Sequence, residues 1–365
     1  MTQPLPIPLG NTYDLDHSHV AFAKQCDANA AGACKMDGSA DVGCSGTCLT
    51  QPQFRFVDNS KGVLDPYLKL ATQYGFANFM FQTNQGPSFP AHQFIFGGTS
   101  APSAGDDGMG IFASENMEIM QGIKNTSAGC IADVTTGVEF IHPNPNPPPP
   151  GIENSDIYPC FEHQTIPDIL PAPFSWRYYA PRAGSIWTAP NAISHICQST
   201  GPGGTCQGPE WLNNVDLTPA HVLSDISSCH LRSVSWVIPT GQNSDHAGSP
   251  NNTGGPSWVA SMVNAIGTNP ACPNGETYWY NTAVFIAWDD WGGWYDHEQP
   301  TILPLPQGDS QYGIRVPLLV VPLTRRQLMW TTFGMILAAS CGSLNKTLGS
   351  RRVSSPLPTS VRRPI

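Results

Sequence analysis

The chain has 365 residues and a formal net charge of −10, and it is long enough for one large α/β domain or two small ones. Only 12% of the residues are charged, 40% are hydrophobic, and 35 glycines and 36 prolines are spread among them. This composition is typical of a folded, loop-rich protein and excludes a disordered one, while the acidic charge argues against nucleic acid as a partner.

Cysteines are the first notable feature along the chain. Residues 1–50 have no regular pattern and contain four of the eleven cysteines. Scattered cysteines in loops rich in Gly, Ser and Thr favour disulfides and an oxidising compartment. Zinc is the alternative for Cys44 and Cys48, but no second pair follows at a zinc-like spacing. The opening "MTQPLPIPLG" has no signal-peptide pattern, so either an export signal is missing from this sequence or the cysteines are reduced.

Two histidines, His17 and His19, lie beside acidic residues in "DLDHSHVAF". His163 in "CFEHQT" and His246 in "NSDHAG" have similar neighbours. A single histidine is most often a surface residue, whereas several next to Asp or Glu suggest phosphate binding, proton transfer or metal ligation. The spacing of these histidines does not choose among the three roles.

The segment that follows predicts a helix, a strand and a second helix start. "DPYLKLATQYG" predicts a helix with Asp65 as N-cap and Gly75 as C-cap, and "FANFMFQ" predicts a strand. In "QTNQGPSFPAHQF", Ser88 precedes Pro90, an arrangement typical of the N-cap of a helix. A hydroxyl there faces free backbone N–H groups, which suits phosphate binding and a nucleophile. A plain capping role is the alternative.

The second half of the chain alternates predicted strands and helices, which indicates an α/β fold. A proline-rich surface excursion at 142–150 comes first. "FSWRYYA" and "SVSWVIP" predict strands, and "TAVFIAW" and "IRVPLLVVP" predict strands of the kind buried on both faces of a parallel sheet. "GPSWVASMVNAIG" predicts a helix that ends at Gly267. Its apolar face contains Trp258, Val259, Met262, Val263 and Ile266.

Two adjacent carboxylates, Asp289 and Asp290, directly follow the strand "TAVFIAW". Ligands bind at the carboxyl ends of strands in open α/β sheets, and adjacent carboxylates stay ionised at low cost only with a cation nearby. The following glycine pair permits a tight loop, which adds Asp296 and His297. The pattern indicates a metal or catalytic site, and an ordinary acidic turn is the alternative.

Together these segments resemble the phosphoesterase family of bacterial non-specific phospholipases C and acid phosphatases, which has an alkaline-phosphatase-like core. Eight motifs occur in the family's order between residues 14 and 321. They are "DHSHVAFAKQCD" with "KMDG", "GPSFPAHQF", "SWRYYAP", "IWTAPNAISHI", "VSWVIPTGQNSDHAG", "GPSWVASMVNAIG", "FIAWDDWGGWYDH" and "YGIRVPLLVVP".

The resemblance implies an α/β fold with a central, mostly parallel sheet flanked by helices and long loops rich in Cys, Pro and Gly. It implies that Ser88 is the nucleophile and that Asp289 and Asp290, with Ser88, bind a divalent metal ion. It also implies that His246 contacts phosphate and that His17, in preference to His19, is a second active-site histidine. The residues His163, Asp296 and His297 receive no defined role from it.

The chain departs from the family at both ends. The family usually opens with an apolar strand ending in a Glu-Asn pair that supplies further metal ligands, and "MTQPLPIPLGNTYDL" contains neither. We therefore expect a phosphoesterase domain at 1–321 that lacks one strand, a central one, and binds metal weakly. The tail at 322–365 has seven Lys and Arg residues and no acid. Our hypothesis is a shifted reading frame, which makes Cys341 spurious and leaves ten cysteines; a basic binding arm is the alternative.

The implied function is metal-assisted hydrolysis of phosphate esters, with phosphomonoesters or phospholipids as substrates. We expect no nucleic-acid partner and no transmembrane segment, so that contact with a membrane is peripheral. The cysteines predict an extracytoplasmic or secreted protein. The alternative is an inactive remnant of the family that acts as a binding or structural protein, because the Glu-Asn strand is missing. A sulfatase-like relative is disfavoured, because the modified-cysteine motif is not found.

Overall fold

The computed structural model describes residues 3–50, 52–114, 118–119, 128–141, 153–275, 277–305, 308–321 and 334–336. Within this part of the chain the α-helices are α1 His19–Cys26, α2 Asp65–Gln73, α3 Ser88–Gly97, α4 Ala104–Met109, α5 Ile166–Ile169, α6 Ser194–Cys197, α7 Pro209–Asn214, α8 His221–Ser227, α9 Gly255–Thr268 and α10 Tyr278–Asn281. The strands are β1 Leu5–Ile7, β2 Asp14–Leu15, β3 Cys44–Ser45, β4 Arg55–Val57, β5 Gly75–Ala77, β6 Phe79–Phe81, β7 Phe112–Ala113, β8 Glu118–Ile119, β9 Thr136–Ile141, β10 Glu153–Ile157, β11 Trp176–Tyr179, β12 Val215–Asp216, β13 Val234–Val237, β14 Val284–Ala287, β15 Ile302–Leu305, β16 Gly308–Gln311, β17 Leu318–Val321 and β18 Gly334–Ile336.

Besides one four-stranded and four two-stranded sheets, the described residues form two three-stranded sheets. In the first, β11 pairs in parallel with both β12 and β13. In the second, β17 pairs antiparallel with both β14 and β5. The strands predicted from "FSWRYYA", "SVSWVIP" and "IRVPLLVVP" are present as β11, β13 and β17, and the described residues form a mixture of helices and strands. The parallel sheet predicted for "TAVFIAW" and "IRVPLLVVP" is wrong, because β17 pairs antiparallel with both of its neighbours and an apolar sequence does not encode strand direction.

Helix α3 lies in the interior beside these sheets. Its sequence "SFPAHQFIFG" is apolar around its whole circumference, which is the pattern of a buried helix rather than a surface one. Every residue of α3 except Ile95 is buried. Phe96, in the last turn, packs against Trp176 and Tyr178 of β11 and Trp236 of β13. The parallel sheet therefore holds α3 in place from its carboxyl end.

Helices α2 and α9 cover the antiparallel sheet. Tyr67 and Leu70 of α2 form one apolar cluster with Val259 and Val263 of α9 and Leu319 of β17. The predicted apolar face of α9 is therefore confirmed, although the helix extends one residue past Gly267. In α2, Leu64 and Tyr74 occupy the caps, so the predictions of Asp65 and Gly75 as caps are each wrong by one residue.

Five disulfides connect the loops. They join Cys26 to Cys34, Cys44 to Cys48, Cys130 to Cys160, Cys197 to Cys206 and Cys229 to Cys272. The preference for disulfides over zinc at Cys44 and Cys48 is confirmed, and such bonds are typical of proteins that fold in oxidising compartments. The expectation that the first 50 residues are irregular is wrong in part, because they contain helix α1. The Ser18 side chain caps this helix by accepting a hydrogen bond from the Ala21 N–H.

The strand β14 differs from its prediction. Its apolar sequence predicted burial on both faces, but Phe285 is 61% exposed and β14 lies at the edge of its sheet. Strand β13 is likewise an edge within the described residues. A cleft of about 1490 Å³ separates the two edges and is lined by residues of both strands and of α2, α8 and α9. Apolar strand edges are normally covered, so this exposure needs an explanation.

Among the residues that the structure describes, no helix combines the length and the apolar character needed to cross a bilayer. The predicted proline-rich excursion at 142–150 and the tail beyond residue 321, apart from β18, lie outside the described residues. The hypothesis of a shifted frame therefore stays a prediction.

Buried tyrosines give the folded chain a defined response to alkaline pH. Five tyrosines are buried, and burial is the main cause that raises the pKa of each above the usual value of about 10. The pKa of Tyr312 rises to about 12. The other four are Tyr13, Tyr67, Tyr178 and Tyr179. Each stays protonated when folded and ionises when unfolded, so the stability it contributes is complete below pH ~10 and is lost as the pH rises further. We expect the free energy of unfolding to fall by up to about 1.4 kcal/mol per tyrosine per pH unit.

The measurement is guanidinium unfolding at about pH 8 and about pH 11, with tyrosinate absorbance recorded in parallel. In the folded protein, the five buried tyrosines should ionise only when the chain unfolds. Titration of all ten tyrosines at pH ~10 without unfolding would contradict the prediction.

Candidate active site

Ser88 is the first residue of α3, and the backbone before it is tightly constrained. Asn84 donates from its side chain to the Gly86 carbonyl at 2.6 Å. A Cβ on Gly86 would lie only 1.8 Å from the Ser114 carbonyl oxygen, so the loop requires glycine at that position. Ser88 is 2% exposed, and its Oγ donates to Asp290 Oδ2 at 3.0 Å.

The prediction of Ser88 as the N-cap is wrong, because Pro87 occupies that position and Ser88 is already helical. The hydroxyl is therefore not engaged as a capping group on the first turn of α3. The start of α3 lies beside the Ser88 hydroxyl, where the helix dipole favours a negative charge.

Asp289 and Asp290 follow β14 and enter the tight loop formed by the two glycines. Gly292 and Gly293 have φ values of 53° and 74°, in the left-handed region that favours glycine. The Gly292 N–H donates to Asp290 Oδ1 at 2.6 Å and so fixes that carboxylate facing Ser88. Asp290 is 4% exposed and Asp289 is half-buried.

The two carboxyls have opposite pKa shifts. Burial, together with the charge of Asp289, raises the pKa of Asp290 to about 6, and the opposing effects of His17, the Gly292 N–H and Ser88 only limit this rise. Burial also acts to raise the pKa of Asp289, but hydrogen bonds from His92 and Ser88 and the charges of His92 and His246 hold it at about 2. The pair is therefore electrostatically strained in a way that a bound cation would relieve.

His92 belongs to this group, although the sequence did not single it out. It lies one turn after Ser88 on α3, so both side chains share a face of the helix. Its Nε2 is 3.2 Å from Asp289 Oδ2, and its Nδ1 is 3.2 Å from the Tyr178 hydroxyl. The spacing of four residues from a proposed nucleophile is the signal by which it was recognisable.

His17 and His246 face each other at the same site, with ring centroids 5.7 Å apart. His17 Nδ1 lies 3.1 Å from the Leu15 carbonyl and His246 Nδ1 lies 2.8 Å from the Ala247 carbonyl. Because a carbonyl only accepts, each Nδ1 carries hydrogen, and each Nε2 is directed elsewhere. Burial lowers the pKa of His17, but Asp290, the Leu15 carbonyl, Asp14 and Asp289 together raise it above its usual value.

Asp14 is a second residue that the sequence did not single out. Its Oδ1 lies 3.7 Å from His17 Nδ1 and is buried without a hydrogen-bond partner. Burial raises the pKa of Asp14, and the charges of His17 and His246 lower it. It therefore adds a third carboxyl behind the two histidines.

The remaining predicted site residues lie elsewhere. His19 is buried on α1, with Nε2 3.2 Å from Gln85 Oε1. His163 packs at the far end of α3, where a Cβ on Gly97 would come within 2.8 Å of its ring. Asp296 forms a two-pronged ion pair with Arg315 at 2.8 and 3.0 Å, and the His297 side chain is 78% exposed.

Asp289, Asp290 and Ser88 are the groups at this site that could hold a divalent metal ion. Within the described ranges, no group of three or more His, Cys, Asp and Glu side chains suits a metal ion. Asp289, Asp290 and Ser88 offer two carboxylates and one hydroxyl. Mg²⁺ is often held by one or two carboxylates plus water and substrate phosphate. The residues therefore fit an ion of that type and do not form an all-protein cage.

Comparison with known proteins bears on this arrangement. Residues 12–333 match the model of the Phosphoesterase family. A protein named "Phospholipase C A" from two strains of Mycobacterium tuberculosis is 28% identical over 132 residues, 30% of this chain. "Phospholipase C B" from the same organism is 30% identical over 132 residues. These matches cover 24% of the length of each relative.

The strain between the two carboxyls makes a testable prediction for Asp290→Asn. With a chelator present at about pH 8, we expect the free energy of unfolding to rise by about 1 to 3 kcal/mol. A raised pKa means that the contribution of Asp290 to stability is complete below about pH 4 and is lost as the pH rises through about 6. The gain should therefore disappear below about pH 4.

The matched control is Asp296→Asn in the same loop. That variant loses its ion pair with Arg315 and should destabilise the chain by about 1 to 3 kcal/mol. Denaturant unfolding measures both. A loss of stability in Asp290→Asn at pH ~8 comparable to that of the control would show that the carboxyl pair is not strained.

Proposed function

The chain belongs to the Phosphoesterase family, and on that premise we propose that it hydrolyses phosphate esters with Ser88 as the nucleophile. The observation that carries this proposal is the contact between Ser88 Oγ and Asp290 Oδ2, 202 residues apart in sequence and 3.0 Å apart in space. A hydroxyl bonded to a carboxylate at the start of a buried helix is suited to attack phosphorus.

The residues of the chain divide the proposed step among them. Ser88 Oγ attacks phosphorus as the P–O bond to the leaving alcohol breaks, and the serine proton passes through Asp290 Oδ2 to the oxygen of that leaving group. The positive end of the α3 dipole and the Nε2 atoms of His17 and His246 stabilise the phosphoryl oxygens. A divalent cation bound by Asp289, Asp290 and Ser88 would supply further charge neutralisation. Water then hydrolyses the bond between Ser88 Oγ and phosphorus, which restores the serine hydroxyl and releases phosphate from a phosphomonoester or a phosphorylated head group from a phospholipid.

The substrates in this proposal are phosphomonoesters or phospholipids, as in an acid phosphatase or a phospholipase C. The names of the two relatives support a phospholipid substrate, although the matched segment covers only 24% of the length of each relative. The five disulfides support a secreted or extracytoplasmic protein that meets a membrane peripherally. We also propose that the chain has an alkaline-phosphatase-like fold, in which the central sheet is mostly parallel.

Ser88→Ala tests the nucleophile. We expect hydrolysis of p-nitrophenyl phosphate and of a phosphorylcholine ester, measured with added divalent metal, to fall about a thousandfold or more. Ser224→Ala, an exposed serine on α8, is the matched control and should keep full turnover. Acid quenching followed by mass spectrometry should detect phosphate on the Ser88 peptide. Turnover that survives Ser88→Ala would refute the assignment.

The second candidate function is a catalytically inactive binding or structural protein, and the cleft favours it. The loop after β13 carries His246 and the turn after β14 carries Asp289, so both edge strands run toward the site. We propose that an additional apolar strand belongs between them, parallel to both, with its carboxyl end at the site. Without such a strand the metal ligands are incomplete and the apolar edge at Phe285 is uncovered.

A synthetic peptide distinguishes the two functions. We expect an apolar peptide of about six residues that ends in Glu-Asn to bind in the cleft and to change the fluorescence of Trp236 and Trp288. A control peptide with a central proline cannot complete the hydrogen bonds of both edges and should not bind. Binding with a gain of metal-dependent turnover supports the hydrolase, binding alone supports the inactive protein, and equal failure of both peptides contradicts the strand proposal.

A further inference from the structure

We propose that His92 is a positioning residue that holds Asp289 against the nucleophile helix. The inference rests on the proposed function, because it assigns His92 to the support of a metal-binding carboxylate. It goes beyond that function in joining the nucleophile and the carboxylate through one side chain. His92 and Ser88 belong to the same helix, α3, whereas Asp289 comes just after β14, a strand of the antiparallel sheet.

The geometry gives His92 two fixed partners. Nε2 lies 3.2 Å from Asp289 Oδ2, and a carboxylate that stays ionised only accepts, so Nε2 carries hydrogen. Nδ1 lies 3.2 Å from the Tyr178 hydroxyl, which itself donates to the Trp187 carbonyl at 2.8 Å. Tyr178 is fully buried on β11, so the ring of His92 is anchored to the parallel sheet.

The burial of this chain of contacts makes it specific. His92 is 5% exposed and Tyr178 is 0% exposed. Water therefore has no ready access to replace a lost hydrogen-bond partner, and the loss of either partner is costly. Asp289 Oδ2 is bonded to His92, and Ser88 also contacts the Asp289 carboxylate, so the carboxylate is held between two residues of α3. Outer partners of this kind orient metal-binding carboxylates in many proteins, and their loss costs about 10- to 100-fold in metal affinity or activity.

A simple packing role is the competing explanation, because α3 is buried and any change in it affects stability. The amide of glutamine places its N–H near the position of histidine Nε2, whereas leucine fills the space without a donor. His92→Gln and His92→Leu therefore separate donation from packing. Tyr178→Phe removes the anchor and leaves the Asp289 contact in place.

The experiment measures kcat and KM for p-nitrophenyl phosphate and, separately, Mn²⁺ affinity by calorimetry. We expect His92→Leu to lower kcat and Mn²⁺ affinity about 10- to 100-fold with little change in KM. His92→Gln should recover most of both losses, and Tyr178→Phe should lose less than His92→Leu. Thermal unfolding of each variant identifies any that fails to fold.

A third measurement depends on neither turnover nor metal. In ¹⁵N-histidine NMR spectra, the His92 Nε2 proton should be present and protected from exchange, and that protection should be lost in Asp289→Ala. The proposed function fails if Ser88→Ala remains active, and that result leaves the NMR measurement intact. The role of His92 is overturned if Nε2 carries no proton, or if folded His92→Gln and His92→Leu are equally impaired or equally unimpaired.

Discussion

The hydrogen bond between Ser88 and Asp290 is the interaction on which the site depends, because it joins the start of α3 to the end of β14. It exists only because α3 is buried along its length and β14 ends in a tight glycine loop. Two neighbouring carboxyls at that point need positive charge around them. His92 and the start of α3, together with His17 and His246, supply it from three separate segments, and the site is the place where these segments meet.

The separation of the two three-stranded sheets imposes the main constraint on how the site works. Strands β13 and β14 are apolar, and their facing edges have no partner within the described residues. The cleft between them reaches Asp289 at one end, so whatever fills it also approaches the carboxylates. The uncovered edges of β13 and β14 and the carboxylates of the site therefore adjoin the same cleft.

Prediction from the sequence succeeded for elements whose pattern is local. The apolar face of α9, the strands β11, β13 and β17 and the turn at Gly292 and Gly293 follow from residues close together in the chain. It failed for β14, whose apolar sequence is the same whether a neighbouring strand is present or not. It also missed Asp14, because one aspartate among several has no distinctive spacing, and His92, whose spacing of four residues from Ser88 is informative only once both are placed on one helix.

The sequence by itself determined helix α9, the strands β11, β13 and β17, the disulfide chemistry and the resemblance to a phosphoesterase, since these depend on residue type and local order. The tertiary structure alone decided which acids and histidines meet. It brought His17, His92 and His246 to Asp289 and Asp290 and left His163 and His297 away from them. The physical reason is that contacts between distant segments follow from packing of buried helices and sheets, which short-range periodicity does not encode.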